Sequence, residues 1–301
     1  MVATIRNPIE WLADQISGGS HHIEAAGESI GGEKGEVALE DIRIRRIEIA
    51  DLRDAVRAGI ADLGACRTDI AFLSVLYPVV GLLLTYYAFH QDVLHLLFPM
   101  MAGFALLGPL AAVGLYELSR RREMGEAPDW RNAFSVIASP SFGAIFVLGL
   151  LLVGLFVVWL IAAQIVYVLT LGPAPPTSLA SFARDVLTTQ AGWAMIVIGL
   201  AVGFVFAAVV LAGSVVSFPL LVDRHVGAPA AIVVSLRVTA KNPRTVAAWG
   251  LLVAAALVVG TIPVFLGLVV ILPILGHATW HLYRRAVGHE TDIAPVRKGA
   301  R

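Results

Sequence analysis

Long apolar stretches dominate this sequence and restrict the folds open to it. A helix needs about 20 predominantly apolar residues to cross the roughly 30 Å hydrocarbon core of a bilayer. Four stretches reach this length: 70–89, 93–118, 142–171 and 191–222. A fifth stretch, 246–283, is too long for one ordinary span and is interrupted by Gly260-Thr261-Ile262-Pro263. It predicts either one kinked helix or a tight hairpin of two helices.

The composition also favours a membrane protein over a soluble one. Hydrophobic residues make up 58% of the 301-residue chain and charged residues 15%, whereas soluble domains average about 25% charged residues. The formal net charge of +0 argues against a nucleic-acid partner, because no basic surplus is available to neutralise phosphates. The single cysteine, Cys66, cannot form an intramolecular disulfide. We therefore predict an all-α membrane protein whose first partner is the lipid bilayer.

The distribution of Lys and Arg predicts the number of spans and their orientation. Short cytoplasmic loops preferentially retain these two residue types. If 246–262 and 264–283 are separate spans, all 22 Lys and Arg residues except Arg184 fall on one side of the membrane. This arrangement predicts six spans, an outer turn at 260–263 and both termini in the cytoplasm. The chain then consists of a polar N-terminal region 1–48, a membrane domain 49–287 and a cytoplasmic tail 288–301.

The polar N-terminal region has three recognisable parts. The residues around Asn7-Pro8 and Trp11 predict a short amphipathic helix. Residues 17–35 are rich in Gly, Ser and Glu, which predicts a flexible linker. Isoleucines alternate with charged residues over 42–49, which predicts a short extended segment, although the sequence shows no partner strand for it.

Each predicted hairpin of spans follows a segment with helical periodicity. Before the first hairpin, apolar residues recur every three or four positions at Leu52, Val56, Ile60 and Leu63. Similar lead-ins precede the second hairpin at Trp130, Phe134 and Ile137, and the third at Ile232, Leu236 and Val238. The pattern predicts three copies of one unit, an amphipathic interfacial helix followed by a helical hairpin.

Three segments carry a resemblance to a known family. They are Ile49-Ala50-Asp51-Leu52 together with 58–63, the run VSFPLLVDR at 216–224, and the run PILGHATWHLYR at 273–284. Together they resemble a bacterial family of predicted six-span integral membrane proteins of unknown function, some of whose members are labelled cytochrome c oxidase subunits. The resemblance covers roughly residues 45–287. It implies a location in the bacterial inner membrane and transfers no established activity.

Polar residues at the cytoplasmic ends of two predicted spans form the main candidate site. His277 and His281 lie four residues apart on one face of the sixth span, and Asp223 and His225 follow the fourth span at the same membrane face. We predict that these four residues form a binding cluster. The competing interpretation is an interfacial belt in which the histidines and Trp280 lie at headgroup depth. We predict neither a metal site nor a cofactor, because the histidine pair lacks the Glu of helix-borne zinc motifs.

Polar and helix-breaking residues within the spans suggest a candidate cavity. They are Gln164, Ser217, Pro219, Pro263 and Pro273. Broken helices free backbone groups that line the cavities of transporters. Interhelical hydrogen bonds and ordinary proline kinks explain the same residues without a cavity.

The sequence contains no Gly-rich phosphate loop, nucleophile elbow, catalytic carboxylate pair or zinc-ligand quartet. Our leading hypothesis is therefore a non-enzymatic accessory or scaffold subunit of a membrane assembly, with other membrane proteins as partners. One alternative is a permease or lipid-handling protein that uses the candidate cavity. A second alternative is a redox protein that binds haem or a metal, which is disfavoured because no histidine falls at mid-membrane depth.

Overall fold

A computed structural model of the chain describes residues 42–65, 70–90, 93–126 and 130–288. Several predictions fall outside these ranges: the amphipathic helix around Trp11, the linker at 17–35, any role for Cys66, and the tail after residue 288.

The described residues are almost entirely helical, which confirms the predicted all-α class. The α-helices are α1 (Ile49–Ala65), α2 (Ile70–His90), α3 (Leu97–Leu106), α4 (Gly108–Ala111), α5 (Val113–Glu123), α6 (Phe142–Thr170), α7 (Leu179–Thr188), α8 (Gln190–Ser214), α9 (Ser217–Asp223), α10 (Ala228–Lys241), α11 (Pro243–Thr261) and α12 (Leu268–Ala286). Shorter 3-10 helices occupy Leu94–Leu96 and Trp130–Ala138. A helix is therefore present at each of the three predicted lead-in positions.

Three helical segments of the described chain are long and apolar enough to cross a membrane. They are Phe142–Thr170, Gln190–Asp223 and Pro243–Thr261. Shorter apolar helices occupy Pro78–His90 and Leu94–Leu106. All five coincide with stretches that the sequence predicts to be spans. The count of six spans and the orientation of the termini stay predictions.

Proline residues divide two of the predicted spans into shorter helices. A proline lacks the backbone N–H and its ring clashes with the carbonyl four residues earlier. Pro109 thus explains the end of α3 near Leu107, and Pro219 explains the break between α8 and α9 at Val215 and Val216. The predicted spans 93–118 and 191–222 are therefore series of helices rather than single ones.

The last apolar stretch is a hairpin rather than one kinked helix. Helix α11 ends at Thr261, and α12 begins at Leu268, four residues later than the predicted span start at 264. A Cβ added to Gly267 would lie 2.8 Å from the Cα of Gly260, which only a reversal of the chain allows. Val264 and Phe265 adopt positive φ angles of 51° and 65° within this turn.

The most densely buried part of the protein is one end of the helix bundle, which we call the polar end. It comprises residues 42–65, 113–123, 217–241 and 274–288. Phe218, Leu221 and Trp280 are fully buried there. Its apolar core also includes partly buried residues of the neighbouring helices. Most of the polar side chains discussed below lie around this core.

Five of the other helices form what we call the apolar part: α2, α3, α6, α8 and α11. Its packing centres on Trp159 of α6, which contacts glycines on two neighbouring helices. A Cβ on Gly103 or Gly203 would approach the Trp159 ring to 2.8 Å or 2.5 Å, respectively. The indole nitrogen donates a 2.7 Å hydrogen bond to the carbonyl of Pro99. These glycines let α3, α6 and α8 pack closely around one aromatic side chain.

Helix α1 buries a different face from the one predicted. The predicted face was Leu52, Val56, Ile60 and Leu63, whereas the buried residues are Leu52, Ala55, Gly59 and Asp62. Gly59 packs directly on the backbone of α12, because a Cβ there would lie 2.7 Å from the carbonyl oxygen of Ile274. Close helix packing favours small residues, so the bulkier Ile60 is left half exposed.

The predicted extended segment exists, and the structure supplies its missing partner. Ile44 forms an isolated antiparallel bridge with Val287 at the end of α12. On the other side, the backbone N–H of Ile47 donates to Oδ1 of Asn242, and Nδ2 of Asn242 donates to the carbonyl of Arg45. Residues 42–48 are thus held between the end of α12 and the junction of α10 with α11.

Candidate functional site

The polar end concentrates its buried ionisable groups around the last three turns of α12. His277 and His281 are one helical turn apart, so both face α1 and α5, which pack on that side of α12. Asp62 lies near the end of α1 and is only 5% exposed. A buried carboxylate requires compensating hydrogen bonds or charges, and these decide how the site is built.

Asp62 is the centre of a buried hydrogen-bonded group that we call the Asp62 cluster. Its other members are Ser119, Arg122, His277 and His281. Oδ2 of Asp62 accepts a 2.6 Å hydrogen bond from Ser119 and lies 2.9 Å from Nε2 of His281. Oδ1 forms an ion pair with Arg122. The cluster ties α1, α5 and α12 together through one carboxylate.

The protonation of the cluster follows from its geometry. Burial raises the pKa of Asp62, but the hydrogen bonds from His281 and Ser119 and the nearby imidazoles outweigh burial, so the pKa lies below its usual value. The ionised carboxylate accepts the only hydroxyl hydrogen of Ser119. Nδ1 of His277, which is 2.7 Å from the Ser119 oxygen, is therefore the donor in that contact. Nε2 of His277 is fully buried and has no hydrogen-bond partner among the residues that the structure describes.

The group contains Ser, His and Asp but does not have the order of a nucleophilic triad. In a triad, the imidazole lies between the serine and the carboxylate and takes the hydroxyl proton. Here Ser119 lies between Asp62 and His277 and donates directly to the carboxylate. Ser119 is also buried, with 2% exposure. The arrangement holds a proton in place and leaves no activated oxygen for attack.

A second group lies on the other side of α12. Arg284 pairs with Glu123, with Nη2 2.7 Å from Oε1, and the indole of Trp280 donates to Oε2 of the same carboxylate at 3.1 Å. The hydroxyl of Tyr283 donates to Oδ2 of Asp223 at 2.5 Å. These contacts connect the ends of α5 and α9 to α12.

The four residues predicted to form one binding cluster therefore fall into three groups. His277 and His281 do come together, at Asp62. Asp223 instead contacts Tyr283 and lies 3.6 Å from Nη1 of Arg284. The Nδ1 atom of His225 is 3.0 Å from the hydroxyl of Ser141, at the start of α6. All four lie at the polar end.

The five candidate cavity residues are dispersed. They are Gln164, Ser217, Pro219, Pro263 and Pro273. The amide oxygen of Gln164 is 2.6 Å from Nε2 of His95, at the end of the apolar part that is remote from Ser217. Ser217 donates to the carbonyl of Ala231 at 3.0 Å inside the packed polar end. Pro219 and Pro273 are buried in helices, whereas Pro263 is exposed in the turn after α11.

Sequence reasoning included Asp223 but missed one acidic residue of each group, Asp62 and Glu123. Asp62 was given no role in the sequence analysis, although it lies seven residues after Ala55 and three after Gly59, on the small-residue face that α12 covers. Recognising that face would have indicated a buried carboxylate. No local signal marks Ser119 or Glu123, because their partners on α12, His277 and Trp280, lie more than 150 residues away in sequence.

The described residues contain no arrangement typical of a metal site. No group of three or more His, Cys, Asp and Glu side chains among residues 42–65, 70–90, 93–126 and 130–288 is arranged to hold a metal ion. The acceptors of Asp62 already receive hydrogen bonds from neighbouring side chains.

A comparison with known families matches the middle of the chain. Residues 97–223, from α3 to the end of α9, match a family described as predicted integral membrane protein, DUF2189. The chain is an integral membrane protein. Its matched region includes Ser119, Arg122, Glu123 and Asp223 but not α1 or α12. No curated protein and no solved structure matches the chain. The family is one of unknown function, so the match supplies a membrane location and no activity.

Proposed function

We propose that this protein is a non-enzymatic accessory or scaffold subunit of a membrane assembly. In this proposal it has six spans in a bacterial inner membrane, and the polar end with both termini faces the cytoplasm. The observation that carries the proposal is the use of the buried polar groups. Asp62, Glu123 and Asp223 each join different helices of the same chain, which supports a structural role for the site.

The positions of the arginines support the proposed orientation. Arg122, Arg224 and Arg284 all lie at the polar end, and Arg184 lies on α7 at the opposite end of α8. Cytoplasmic loops are enriched in Lys and Arg. A reporter enzyme fused after Arg301 is expected to be active if it is one that works in the cytoplasm and inactive if it is one that works in the periplasm. Activity of a periplasmic reporter at that position would contradict the proposed orientation.

Helix α8 is the surface best suited to a partner. Almost none of its most apolar segment is buried inside the protein, in contrast to α6 and α11. Val197, Leu200 and Phe204 are exposed at helical spacing and form one ridge. Lipid acyl chains can also cover such an apolar ridge, so contact with a partner protein must be tested directly.

Site-specific crosslinking tests this proposal in the native membrane. A photoreactive residue at Phe204, which is 74% exposed, is compared with one at the equally exposed Leu251 of α11. We expect a discrete protein adduct from position 204 that mass spectrometry identifies reproducibly, and lipid adducts from position 251. Lipid adducts alone at both positions, together with purification of the protein without partners, would refute the subunit proposal.

The permease or lipid-handling alternative has less support. Its candidate residues Gln164, Ser217 and Pro263 lie in separate places rather than around one space. A transport role also commonly uses ionisable residues at mid-membrane depth, whereas the ionisable groups of the Asp62 cluster lie at the polar end and contact one another. Substrate that co-purifies with the protein would favour this alternative.

A further inference from the structure

An open groove of about 620 Å³ lies between α1 and α11 at the polar end. Its apolar walls include Leu52 and Val56 from α1 and Ala248 and Leu252 from α11. The volume is within the range of about 300–1,000 Å³ that small-molecule sites occupy. The groove is separate from the Asp62 cluster, because Asp62 lies on the face of α1 that packs against α12.

Two arginines of α1 line the same groove. Arg53 and Arg57 are one helical turn apart and both are exposed. The described residues provide no ion-pair partner for Arg53, and Arg57 has only a 3.9 Å contact with Asp54. Arg244 lies four residues before Ala248 in α11, so the sequence places a third cation one turn before the groove wall.

The acidic residues of α1 are engaged elsewhere, which leaves the groove cationic. Nη1 of Arg285 is 2.5 Å from Oδ1 of Asp51, and its Nη2 is 3.3 Å from Oδ2 of Asp54. One arginine of α12 thus pairs with both carboxylates. The positive charges of Arg53 and Arg57 are consequently available to an anion in the groove.

The groove has both a charged edge and an apolar extension. From Ala248 and Leu252, the surface of α11 continues along a helix that is apolar and long enough to cross a membrane. Leu251, on the adjoining surface of α11, is 73% exposed. A free phosphate would use only the arginines, whereas a phospholipid would use the arginines and the apolar wall together.

We propose that the groove binds an anionic phospholipid of the leaflet next to the polar end. Its phosphate would lie between Arg53 and Arg57. One acyl chain would follow Ala248 and Leu252 along α11. Basic residues on amphipathic helices attract anionic lipids in this way. The proposal does not depend on whether the protein is a subunit of an assembly.

Competitive lipid binding to the purified full-length protein tests the charge requirement. Native mass spectrometry compares retention of phosphatidylglycerol and phosphatidylcholine, which differ in headgroup charge. We expect wild type to prefer phosphatidylglycerol, and Arg53→Gln to reduce this preference roughly fivefold, the effect of one basic residue near an anionic membrane surface. The matched control, Arg184→Gln, removes one exposed arginine at the opposite end and should keep the preference.

A second variant tests the groove itself. Ala248→Phe fills the space beside the apolar wall and retains all three arginines. It should therefore reduce the retention of phosphatidylglycerol and leave the binding of glycerol phosphate, which has no acyl chain, unchanged. If Arg53→Gln and Ala248→Phe both retain the lipid preference, the site is not in this groove. An equal loss in Arg184→Gln would show nonspecific charge attraction and overturn the proposal. Unchanged thermal melting in detergent confirms that each variant is folded.

The main competing occupant is a part of the chain itself. A photoreactive residue at position 248 of the membrane-embedded protein distinguishes a bound lipid from a segment of the chain, because digestion and mass spectrometry identify its adducts. An adduct with phosphatidylglycerol supports the proposal. An adduct with a peptide from residues 1–41, which contain the predicted amphipathic helix, would overturn it.

Discussion

The polar end and the apolar part bury their side chains in opposite ways. At the polar end, large residues such as Trp280 and Tyr283 are fully buried together with a histidine and a carboxylate. In the apolar part, residues as large as Phe204 and Leu251 face outward. A bilayer solvates apolar surfaces, so the second region needs only local close packing. The polar end is held by specific hydrogen bonds and should tolerate fewer changes.

The largest loss of stability is expected from Asp62→Ala. This substitution leaves Ser119, Arg122 and His281 without their common partner. Removing one member of a buried charged group typically costs about 3–5 kcal/mol. The measurement is the free energy of unfolding of the purified protein in detergent, with denaturant as the variable.

The matched control for this change is Asp54→Ala on the same helix. The side chain of Asp54 is 47% exposed, and its ion pairs are long. Exposed pairs contribute about 0–1 kcal/mol. Equal losses for the two variants would show that the Asp62 cluster does not hold the polar end together.

The next largest effect is expected from Gly59→Ala at the contact between α1 and α12. The added Cβ would lie 2.7 Å from the carbonyl oxygen of Ile274 and 2.8 Å from the backbone nitrogen of Ala278. Backbone atoms cannot rotate away, so the helices must separate, at a typical cost of about 1–3 kcal/mol. Thermal melting should show this loss. Gly64→Ala on the same helix, which meets no atom within 4 Å, should not lower stability.

The sequence predicts contacts between residues that are close along the chain better than contacts between residues that are far apart. Helix class, the apolar segments and the pairing of His277 with His281 follow from local patterns of three to four residues. Gly260 and Pro263 by themselves fit both a kink and a turn, and only the distribution of Lys and Arg favoured the hairpin. The partner of the histidines was missed because Asp62 is more than 200 residues away in sequence from His277 and His281. Helix α7 was also missed, because the sequence around its Ser178 cap indicated only an outer loop.

A smaller effect is expected from Gly203→Ala in the apolar part. The new Cβ would lie 2.5 Å from the ring of Trp159, which is a side chain and can shift more readily than backbone. We expect a loss of about 1 kcal/mol, at the lower end of overpacking costs. Gly199→Ala one turn earlier, with open space around it, is the control and should be neutral. A larger loss from Gly203→Ala than from Gly59→Ala would reverse the ranking of the two regions.

The smallest effect is expected from the acid titration of Asp62. Its pKa is lower in the folded protein than in the unfolded chain, because hydrogen bonds from His281 and Ser119 and the neighbouring imidazoles outweigh burial. The ionised carboxylate therefore stabilises the fold above the unfolded pKa, near 4, and this contribution is lost as the pH falls through the folded pKa.

Comparison with Asp62→Asn isolates this contribution from the other carboxylates. Asn keeps the size of the side chain and an acceptor for Ser119 but has no charge for Arg122. The difference in unfolding free energy between wild type and Asp62→Asn should shrink as the pH falls from about 5 towards 3. The groups that face Asp62 are Arg122 from α5 and His277 and His281 from α12, and all three are the same in both proteins. Parallel pH profiles would show that the charge of Asp62 does not stabilise the polar end, and its role would then reduce to neutral hydrogen bonding.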